Sequence, residues 1–410
     1  MIRYHAAWTL PISEPPVRDG WLAVDRGRVV ALGAAGKRVL ADGAQVVDLG
    51  DVAVMPGLVN AHTHLELSYL RDEVPPASQF VTWIRGVMKA RRDRPDPRGK
   101  DILDAVDRAL KEAEACGTAI VGDISNTLVS FGPLTRSSLA AVVFYEVIRF
   151  NAPDPEAVVA MALNDLAALS ATERVRVSLA AHAPYSVAPL VLRAIRRAVD
   201  REPFMPFSIH VSESAEEVEF IRNGGGAWRS LLEEIGSWDP AWVPPGGTPV
   251  QFLDDSGFLD GRLLAVHGVQ MTTADLDRLV ARGTTLVTCP RSNGHTGAGA
   301  PPIEDFYNYG VKVAVGTDSL ASAPDLNVFA ELATMRALAP TVSARALLDS
   351  ATRQGARALG FDQDYGTIEP GKSGRLLAVS VPPGIEDVEE YLVGGIEPAQ
   401  IRWLDPEPRT

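Results

Sequence analysis

Between about residues 56 and 355 the chain alternates short apolar runs with longer stretches of helical periodicity. The runs are rich in valine, leucine, isoleucine and alanine with little polar alternation, so they predict strands buried on both faces. Segments of helical period, such as 274–281, follow them. Eight such units predict an α/β fold with a closed (β/α)8 TIM barrel. The predicted strands are 54–61, 118–123, 140–147, 175–182, 206–212, 262–268, 284–289 and 311–317.

The two ends of the chain have a different pattern. Short strands separated by turn residues cover 21–24, 28–32 and 45–47, and a turn at 366–371 precedes another strand at 376–379. We therefore predict a small composite β-sandwich domain built from both termini, beside the barrel. The predicted boundaries are 1–54 plus 360–410 for the β-sandwich and 55–359 for the barrel.

One segment inside the barrel region fits neither pattern. Residues 238–249, between the fifth and sixth strands, are rich in proline and glycine. They are too irregular for the barrel wall, which makes this loop a candidate lid whose role stays open.

Polar residues at the ends of the predicted strands are the candidates for chemistry, because active sites of such barrels lie at the carboxyl ends of the strands. A lone histidine at such a place is more often structural, and a His-x-His pair arises easily by chance. Several converging histidines and a carboxylate are much harder to explain structurally, and alternate residues of an extended segment point the same way. The set predicts a metal site. Its members are His62 and His64 after the first strand, His182, His210, His267 and Asp318, while His5 and His295 lie elsewhere.

Glu213 follows His210 by three residues. Taken alone, a glutamate at the rim is usually just solvated. Beside a metal-ligating histidine it is a candidate general acid and base, moving a proton between water and leaving group. Glu216, Glu217 and Glu219 follow on a helical stretch, and we expect them to face solvent.

Five motifs in this order resemble those of the amidohydrolase superfamily, in the branch that deaminates or dechlorinates aromatic rings. The resemblance covers nearly the whole chain. It implies that His62, His64, His210 and Asp318 bind the metal. The motifs are Met-Pro-Gly-Leu-Val-Asn-Ala-His-Thr-His (55–64), His-Val-Ser-Glu (210–213), Val-His-Gly (266–268), Cys-Pro-Arg-Ser-Asn (289–293) and Gly-Thr-Asp-Ser (316–319).

The resemblance also implies a reaction. Metal-bound hydroxide would attack a carbon of an amino-substituted heteroaromatic ring and release ammonia. Glu213 and His267 match the pair that shuttles protons around the attacking water, and Asp318 would accept a proton from it. Hydrolysis of a cyclic amide or a C–Cl bond is the alternative chemistry, and a non-catalytic scaffold on the same fold is the alternative class.

The number of metal ions follows from lysine placement. A binuclear site of this type needs a bridging carboxylated lysine, or a carboxylate in its place, at the end of the fourth strand. That strand ends in the sequence Ala-His-Ala-Pro (181–184), and no lysine occurs between Lys111 and Lys312. We therefore predict one divalent ion. Zinc suits three imidazoles and a carboxylate, and iron(II) is the alternative.

The motifs look most like those of aminofutalosine deaminases of menaquinone biosynthesis, which act on an adenine nucleoside carrying a benzoate. His182 resembles a substrate-contacting histidine of the family. Glu66 is a candidate hydrogen-bonding partner of the substrate, and Arg291 a candidate clamp for its carboxylate or else part of a structural ion pair. Trp83 is a candidate stacking residue, although at helical spacing a tryptophan is more often core. No family role matches His295.

Composition and charge bear on partners and compartment. The formal net charge of −13 is spread along the chain and disfavours nucleic acids and anionic membranes, because phosphate binding needs a basic surface. The N-terminus lacks the build of a signal peptide, and no apolar run approaches the length of a membrane span. Two cysteines, Cys116 and Cys289, are interpreted as reduced thiols. We expect a cytoplasmic protein with a small aromatic substrate, and a homodimer is left open.

Overall fold

The structure, a computed structural model, describes residues 1–34 and 44–404. Parts of the predicted terminal domain, residues 35–43 and 405–410, lie outside the described residues. The strands are β1 (Ile2–Thr9), β2 (Val17–Asp25), β3 (Arg28–Gly33), β4 (Gln45–Asp48), β5 (Val52–Pro56), β6 (Leu58–Thr63), β7 (Thr118–Ser125), β8 (Ala140–Val147), β9 (Val175–Ala181), β10 (Phe207–Val211), β11 (Leu263–His267), β12 (Thr285–Thr288), β13 (Lys312–Val315), β14 (Leu376–Ser380) and β15 (Ile401–Trp403).

Strands β6 to β13 form an eight-stranded sheet in chain order, and each strand pairs in parallel with the next. Nearly all of their residues are buried, as expected for strands covered on both faces. Seven of the predicted strands agree with these bounds to within a few residues. The predicted TIM-barrel fold is confirmed.

The first predicted strand, 54–61, was wrong in one respect. It spans the end of β5, which belongs to the other sheet, and the start of β6, which belongs to the barrel. The chain changes sheets at Gly57, where an added Cβ would lie 2.6 Å from the Cβ of Ala119. Both strands are apolar and buried, so the hydrophobic pattern runs through the junction without a break.

The barrel closes through hydrogen bonds between its first and last strands. The backbone N–H groups of Thr317 and Asp318 donate to the carbonyl of His62, at 3.1 and 3.0 Å. The side-chain oxygen of Asn60 accepts the N–H of Thr317 at 3.1 Å, and its amide donates to the Thr317 hydroxyl at 2.7 Å. This closure brings the His-x-His segment next to Asp318.

The termini contribute a seven-stranded sheet in the order β15-β14-β5-β1-β2-β3, with β4 also paired to β1. Strand β14 pairs antiparallel with β5, so the chain's end is joined to its beginning. The composite β domain is therefore present, and its described strands lie in this one sheet. The boundaries at 54/55 and 359/360 stay predictions.

Helices follow the barrel strands and cover the barrel from outside. The predicted helix at 274–281 illustrates why they form: Thr272 and Asp275 make a capping box, Leu276 and Leu279 are buried, and Gly283 ends the helix at φ 68°. No helix within 1–34 and 44–404 is long and apolar enough to cross a membrane. The helices are α1 (Phe80–Arg92), α2 (Lys100–Ala115), α3 (Phe131–Arg136), α4 (Pro155–Ala167), α5 (Pro189–Val199), α6 (Ala215–Asn223), α7 (Gly226–Glu234), α8 (Pro249–Asp255), α9 (Thr273–Arg282), α10 (Pro290–Thr296), α11 (Ile303–Asn308), α12 (Val328–Leu338), α13 (Ala344–Asp349), α14 (Gly355–Ala358) and α15 (Val388–Val393).

Candidate active site

Three histidines and an aspartate meet at the carboxyl end of the barrel. His62 and His64 lie at the end of β6, and their ring centroids are 5.0 Å apart. His210 of β10 is 4.9 Å from His62, measured between ring centroids. Asp318 follows β13, and its Oδ1 lies between the first two rings. The structure thus brings together all four residues predicted as metal ligands.

The spacing of these atoms fits a metal ion better than it fits hydrogen bonds. Oδ1 of Asp318 lies 3.6 Å from Nε2 of His62 and 3.5 Å from Nε2 of His64. Both separations are too long for good hydrogen bonds, yet close to the ~3.4 Å between neighbouring ligands of a tetrahedral zinc ion with bonds of about 2.1 Å. Neither ring nitrogen of His62 has a hydrogen-bond partner among the described residues, although both are buried. The residues present therefore fit a bound metal.

A backbone hydrogen bond sets the tautomer of His210. Its Nδ1 lies 2.7 Å from the carbonyl oxygen of His182, which can only accept, so Nδ1 carries the proton and Nε2 keeps its lone pair. Burial lowers the pKa of His210 to about 4. Burial likewise lowers the pKa of His64 well below its usual range. Neutral imidazoles are the form that binds metal.

Two hydroxyl groups orient the carboxylate of Asp318. Ser292 and Ser322 donate to its Oδ2 at 2.5 and 3.1 Å. Oδ1 is left to face the histidines. Since contacts behind a ligand fix its direction, these serines favour binding through one oxygen only.

Glu213 and His267 lie together beside this cluster. Their closest atoms, Oε1 of Glu213 and Nε2 of His267, are 3.5 Å apart, and both side chains are buried. The amide nitrogen of Asn293 lies 3.0 Å from Nδ1 of His267 and donates to it, which leaves the proton on Nε2. Burial, together with the nearby Asp318 and Glu217, raises the pKa of Glu213 well above its usual range. The pair therefore offers two proton donors to the cavity.

Glu217 corrects one expectation. It was expected to face solvent, but its side chain is fully buried and accepts the backbone N–H groups of Ser212 at 2.9 Å and Glu213 at 2.8 Å. Ser212 has a φ of 51°, in the left-handed region that non-glycine residues rarely adopt. Glu217 thus holds the strained turn that carries Glu213. Glu219 is exposed, as expected.

Strained backbone recurs at the site. His267 and Asp318 have φ angles of 79° and 58°, also in the left-handed region. Such conformations cost about 1–3 kcal/mol each and persist where the surroundings impose them. In each case the residue leaves the end of a barrel strand with its side chain at the cluster.

The cluster forms the floor of a cavity with a volume of about 440 Å³, within the usual range for small-molecule sites. Trp83 and His182, two predicted substrate contacts, both line it. Nδ1 of His182 lies 2.5 Å from the Ser186 hydroxyl. Tyr185 and Trp228, which the sequence did not single out, also line the cavity and stack with their ring centroids 3.7 Å apart.

Glu66 does not reach this cavity, so its predicted contact with substrate is contradicted. Its carboxylate accepts hydrogen bonds from the hydroxyls of Ser125 and Thr127, both at 2.6 Å, and from the backbone N–H groups of Asn126 and Thr127. Arg91 lies 3.6 Å away. Glu66 lies in a 3-10 helix at Leu65–Leu70, where the chain has already turned away from the direction of β6. Its side chain therefore points at β7 instead of the cavity.

Arg291 is also not a substrate clamp. Its Nε donates to Glu331 at 2.7 Å, and one of its terminal nitrogens donates to Asp325 at 2.8 Å. Glu331 is fully buried, and burial raises its pKa to about 7 even with Arg291 beside it. The structural alternative for Arg291, an ion pair, is therefore what the structure shows.

The sequence also missed three charged residues that line the cavity: Glu146, Arg91 and Arg149. All three also line a second, adjoining cavity of about 590 Å³ that includes Arg92, which we call the annex. Glu146 could have been found from the sequence. It lies near the end of the third predicted strand, and polar residues at the ends of other predicted strands were the ones selected as candidates. No sequence motif marks the two arginines, because Arg91 belongs to α1 and Arg149 to the segment after β8.

His295 and the loop 238–249 lie beside the cavity rather than in it. Nε2 of His295 is 3.0 Å from the carbonyl oxygen of Val74, so it joins α10 to the segment before α1. Trp238 packs on Phe150 with ring centroids 5.7 Å apart, and Asn151 donates to its carbonyl. The residues just before it, 235–237, line the cavity. A lid function for the loop stays a prediction.

Comparison with known sequences agrees with this geometry. A model of the amidohydrolase family matches residues 53–399. An aminodeoxyfutalosine deaminase of Deinococcus radiodurans is 33% identical over 320 residues, covering 75% of this chain and 73% of that protein. A 5-methylthioadenosine/S-adenosylhomocysteine deaminase of Moorella thermoacetica is 31% identical over 407 residues, covering 94% of this chain and 87% of that protein.

Solved structures share the fold over almost the full length. An adenosine deaminase from Xanthomonas campestris with bound zinc has a TM-score of 0.83 and 28% identity, covering 98% of this chain and 90% of that one. The aminofutalosine deaminase of Helicobacter pylori in complex with methylthio-coformycin has a TM-score of 0.82. Its 24% identity, over 96% of this chain and 95% of that one, supports the fold alone.

We expect His210→Ala to reduce the metal content of the purified protein from one equivalent to near zero, because the substitution removes one of the four proposed ligands. Atomic absorption after dialysis against a weak chelator measures this. His295→Ala is the matched control and should keep its metal. Equal metal contents in the two variants would contradict the assignment of the ligands.

Arg291→Met should destabilise the fold rather than weaken substrate binding. It leaves the buried Glu331 without its ion pair, which typically costs about 3–5 kcal/mol. Thermal unfolding followed by circular dichroism measures the loss. Arg26→Met, at an exposed arginine, controls for the charge change. A raised KM with an unchanged melting temperature would restore Arg291 as a substrate contact.

Proposed function

The chain belongs to the amidohydrolase family, and we propose that within it the protein hydrolyses the exocyclic carbon–nitrogen bond of an adenine nucleoside and releases ammonia. The observation that carries this proposal is the pair Glu213 and His267 beside a metal-ligand cluster, on the floor of an apolar cavity. Relatives named as deaminases of adenine nucleosides cover most of the chain and support it.

One divalent ion, zinc in preference to iron(II), would be held by His62, His64, His210 and Asp318. When bound, the ion supplies Lewis acidity that brings the pKa of a coordinated water to about 7. A single ion is proposed because β9 leads into His182 at the position where a second ion would need a carboxylated lysine. The protein's own residues provide everything else that the reaction needs.

Glu213 moves the protons. As a neutral acid it donates to the ring nitrogen next to the reacting carbon, which makes that carbon more electrophilic. The resulting carboxylate accepts a proton from the attacking water and passes it to the amino group, which leaves as ammonia. Asp318 Oδ1, directed at the same place, is the second acceptor for the protons of that water.

His267 stabilises the charge that develops during attack. Its Nε2–H faces the cluster because Asn293 donates to the opposite ring nitrogen. A donor fixed in a dry site stabilises a developing oxyanion far more than one in water does. This role needs the neutral tautomer, and burial lowers the pKa of His267 well below its usual range.

The cavity walls suit an adenine ring. Trp83 and Trp228 line the cavity, and neither indole N–H has a partner among the described residues. Both indole nitrogens are buried, so the tryptophans present apolar ring surface to the cavity. The ring faces of these tryptophans also supply stacking area.

Among adenine nucleosides, aminofutalosine is the favoured substrate, which would place the reaction in menaquinone biosynthesis. Its benzoate needs a cation, and Arg91 and Arg149 at the annex supply that charge in place of Arg291. Arg149 forms no ion pair with any residue in 1–34 or 44–404. The second candidate is 5-methylthioadenosine or S-adenosylhomocysteine, favoured by the longer match to the relative from Moorella.

The cellular setting is part of the same proposal. Cys116 and Cys289 are free and buried, as expected in a reducing cytoplasm. A homodimer stays a prediction.

Glu213→Gln should keep the metal and lose about 10²- to 10⁴-fold in kcat, because the amide cannot cycle a proton. Ammonia release from aminofutalosine and from adenosine measures turnover, and atomic absorption checks the metal. Glu219→Gln, the same change on an exposed part of α6, should behave as wild type. Near-normal activity of the Glu213 variant would remove this residue from the mechanism.

Arg149→Met tests whether the substrate carries a carboxylate, as aminofutalosine does and 5′-methylthioadenosine does not. We expect KM for aminofutalosine to rise by about tenfold, in line with the loss of one charge-assisted hydrogen bond. KM for 5′-methylthioadenosine, which has no charged group, should change by less than about twofold. Equal changes for both would show that Arg149 does not recognise a carboxylate.

A further inference from the structure

Glu331 and Arg291 form a buried ion pair that the proposed mechanism does not use. Neither residue lines the cavity or the annex, and the side chain of Glu331 is fully buried on α12. Buried ion pairs are a weak source of stability, because taking two charges out of water costs about as much as their attraction returns. The arginine of the motif Cys-Pro-Arg-Ser-Asn (289–293) therefore calls for a reason other than stability alone.

The carboxylate of Glu331 holds the first turn of α10 at two points. Its Oε2 accepts the backbone N–H of Arg291 at 3.2 Å, and its Oε1 accepts the side-chain Nε–H of the same residue at 2.7 Å. The first backbone N–H groups of a helix have no partner within the helix and are usually capped by the side chain of the preceding residue. Cys289, which precedes α10, makes no such hydrogen bond. Glu331 thus supplies a cap from another helix.

Arg291 extends this contact to the segment that leads into α12. One of its terminal nitrogens donates to the side chain of Asp325 at 2.8 Å, and to the backbone carbonyls of Asp325 and Asn327 at 3.1 and 3.3 Å. Helix α10 has only seven residues, and helices of that length depend on contacts with the rest of the protein. At its first turn, α10 is therefore fixed to α12 by Arg291 and Glu331.

The next two residues of α10 connect this anchored turn to the site. Ser292 donates to Oδ2 of Asp318 at 2.5 Å, and Asn293 donates to Nδ1 of His267 at 3.0 Å. Both side chains are fully buried, so close packing limits how far either can move on its own. A shift of α10 by about 1 Å along these hydrogen bonds would lengthen them to about 3.5 Å or more, where they are lost.

We propose that Glu331 is a positioning residue, which holds α10 through Arg291 and so fixes the two residues that orient the site. Those two residues keep Oδ1 of Asp318 directed at the histidines and Nε2–H of His267 directed at the cavity. The arginine of the motif thus serves the reaction without touching the substrate. This inference rests on the proposed function, because it takes Asp318 and His267 as parts of the reaction.

Glu331→Gln keeps the volume of the side chain but turns an amide N–H group toward one of the two donors of Arg291. We expect kcat for ammonia release from aminofutalosine and adenosine to fall by about 10- to 100-fold, as small misplacements of reacting groups do. KM should stay within about twofold, because the cavity lining is unchanged. Asp254→Asn is the matched control. It breaks the ion pairs with Arg278 and Arg282, so it should lower the melting temperature and leave kcat within about twofold.

A second experiment asks whether Glu331 acts through α10. In a Ser292→Ala/Asn293→Ala background the contacts from α10 to the site are already removed. Glu331→Gln should then lower kcat by less than about threefold further, because the effects of coupled residues do not add. A general effect on the fold predicts the full loss in both backgrounds.

Zinc retention gives a readout that does not depend on turnover. Groups that orient a metal ligand affect the affinity for the metal, so transfer of zinc to a coloured chelator should be at least about fivefold faster in Glu331→Gln than in the wild type. Transfer from Asp254→Asn should be unchanged.

Two outcomes would overturn the inference: wild-type kcat and zinc transfer in Glu331→Gln, or an undiminished loss of kcat in the Ser292→Ala/Asn293→Ala background. Failure of the proposed function is distinguishable, because the wild type would then release no ammonia from adenosine or aminofutalosine. Zinc transfer alone would then decide the inference, and a wild-type rate in Glu331→Gln would refute it.

Discussion

The contact between the first and last barrel strands is the constraint on which the site depends. The carbonyl of His62 accepts the backbone N–H groups of both Thr317 and Asp318, and Asn60 ties its side chain to Thr317. These residues lie more than 250 positions apart in the chain. Because the bonds fix the backbone on both sides of the seam, they hold His62, His64 and Asp318, three of the four candidate metal ligands, close together.

Elsewhere in the site, too, the backbone is held in a fixed conformation by buried neighbouring groups. Strained turns at Ser212, His267 and Asp318 aim side chains inward from three strand ends, and each is held by neighbours. Glu217 holds the first of these turns through two backbone hydrogen bonds. In the proposed reaction, such preorganisation would place donors where charge develops and reduce the reorganisation that the reaction needs.

The substrate side is built differently from the metal side. Aromatic and aliphatic side chains form the walls of the cavity, and Glu146, Arg91 and Arg149 lie where it adjoins the annex. In the proposed function, histidines and carboxylates at strand ends carry the reaction, whereas α1 and the segment after β8 bind the substituents of the substrate. This division allows related barrels to keep one reaction while changing substrate.

The sequence alone determined the barrel, and it selected the four candidate metal ligands and the pair Glu213 and His267 that the structure brings together, because strand ends of a parallel barrel converge whatever the details of packing. It did not determine side-chain partners. Arg291 and Glu66 have the residue types of a substrate contact, yet buried Glu331 and the start of β7 satisfy them instead. Glu217 has helical spacing and a charge, and only the strained turn before α6 explains its burial. Whether a polar group faces a ligand or another side chain depends on which neighbours reach it first, and those neighbours come from distant parts of the chain.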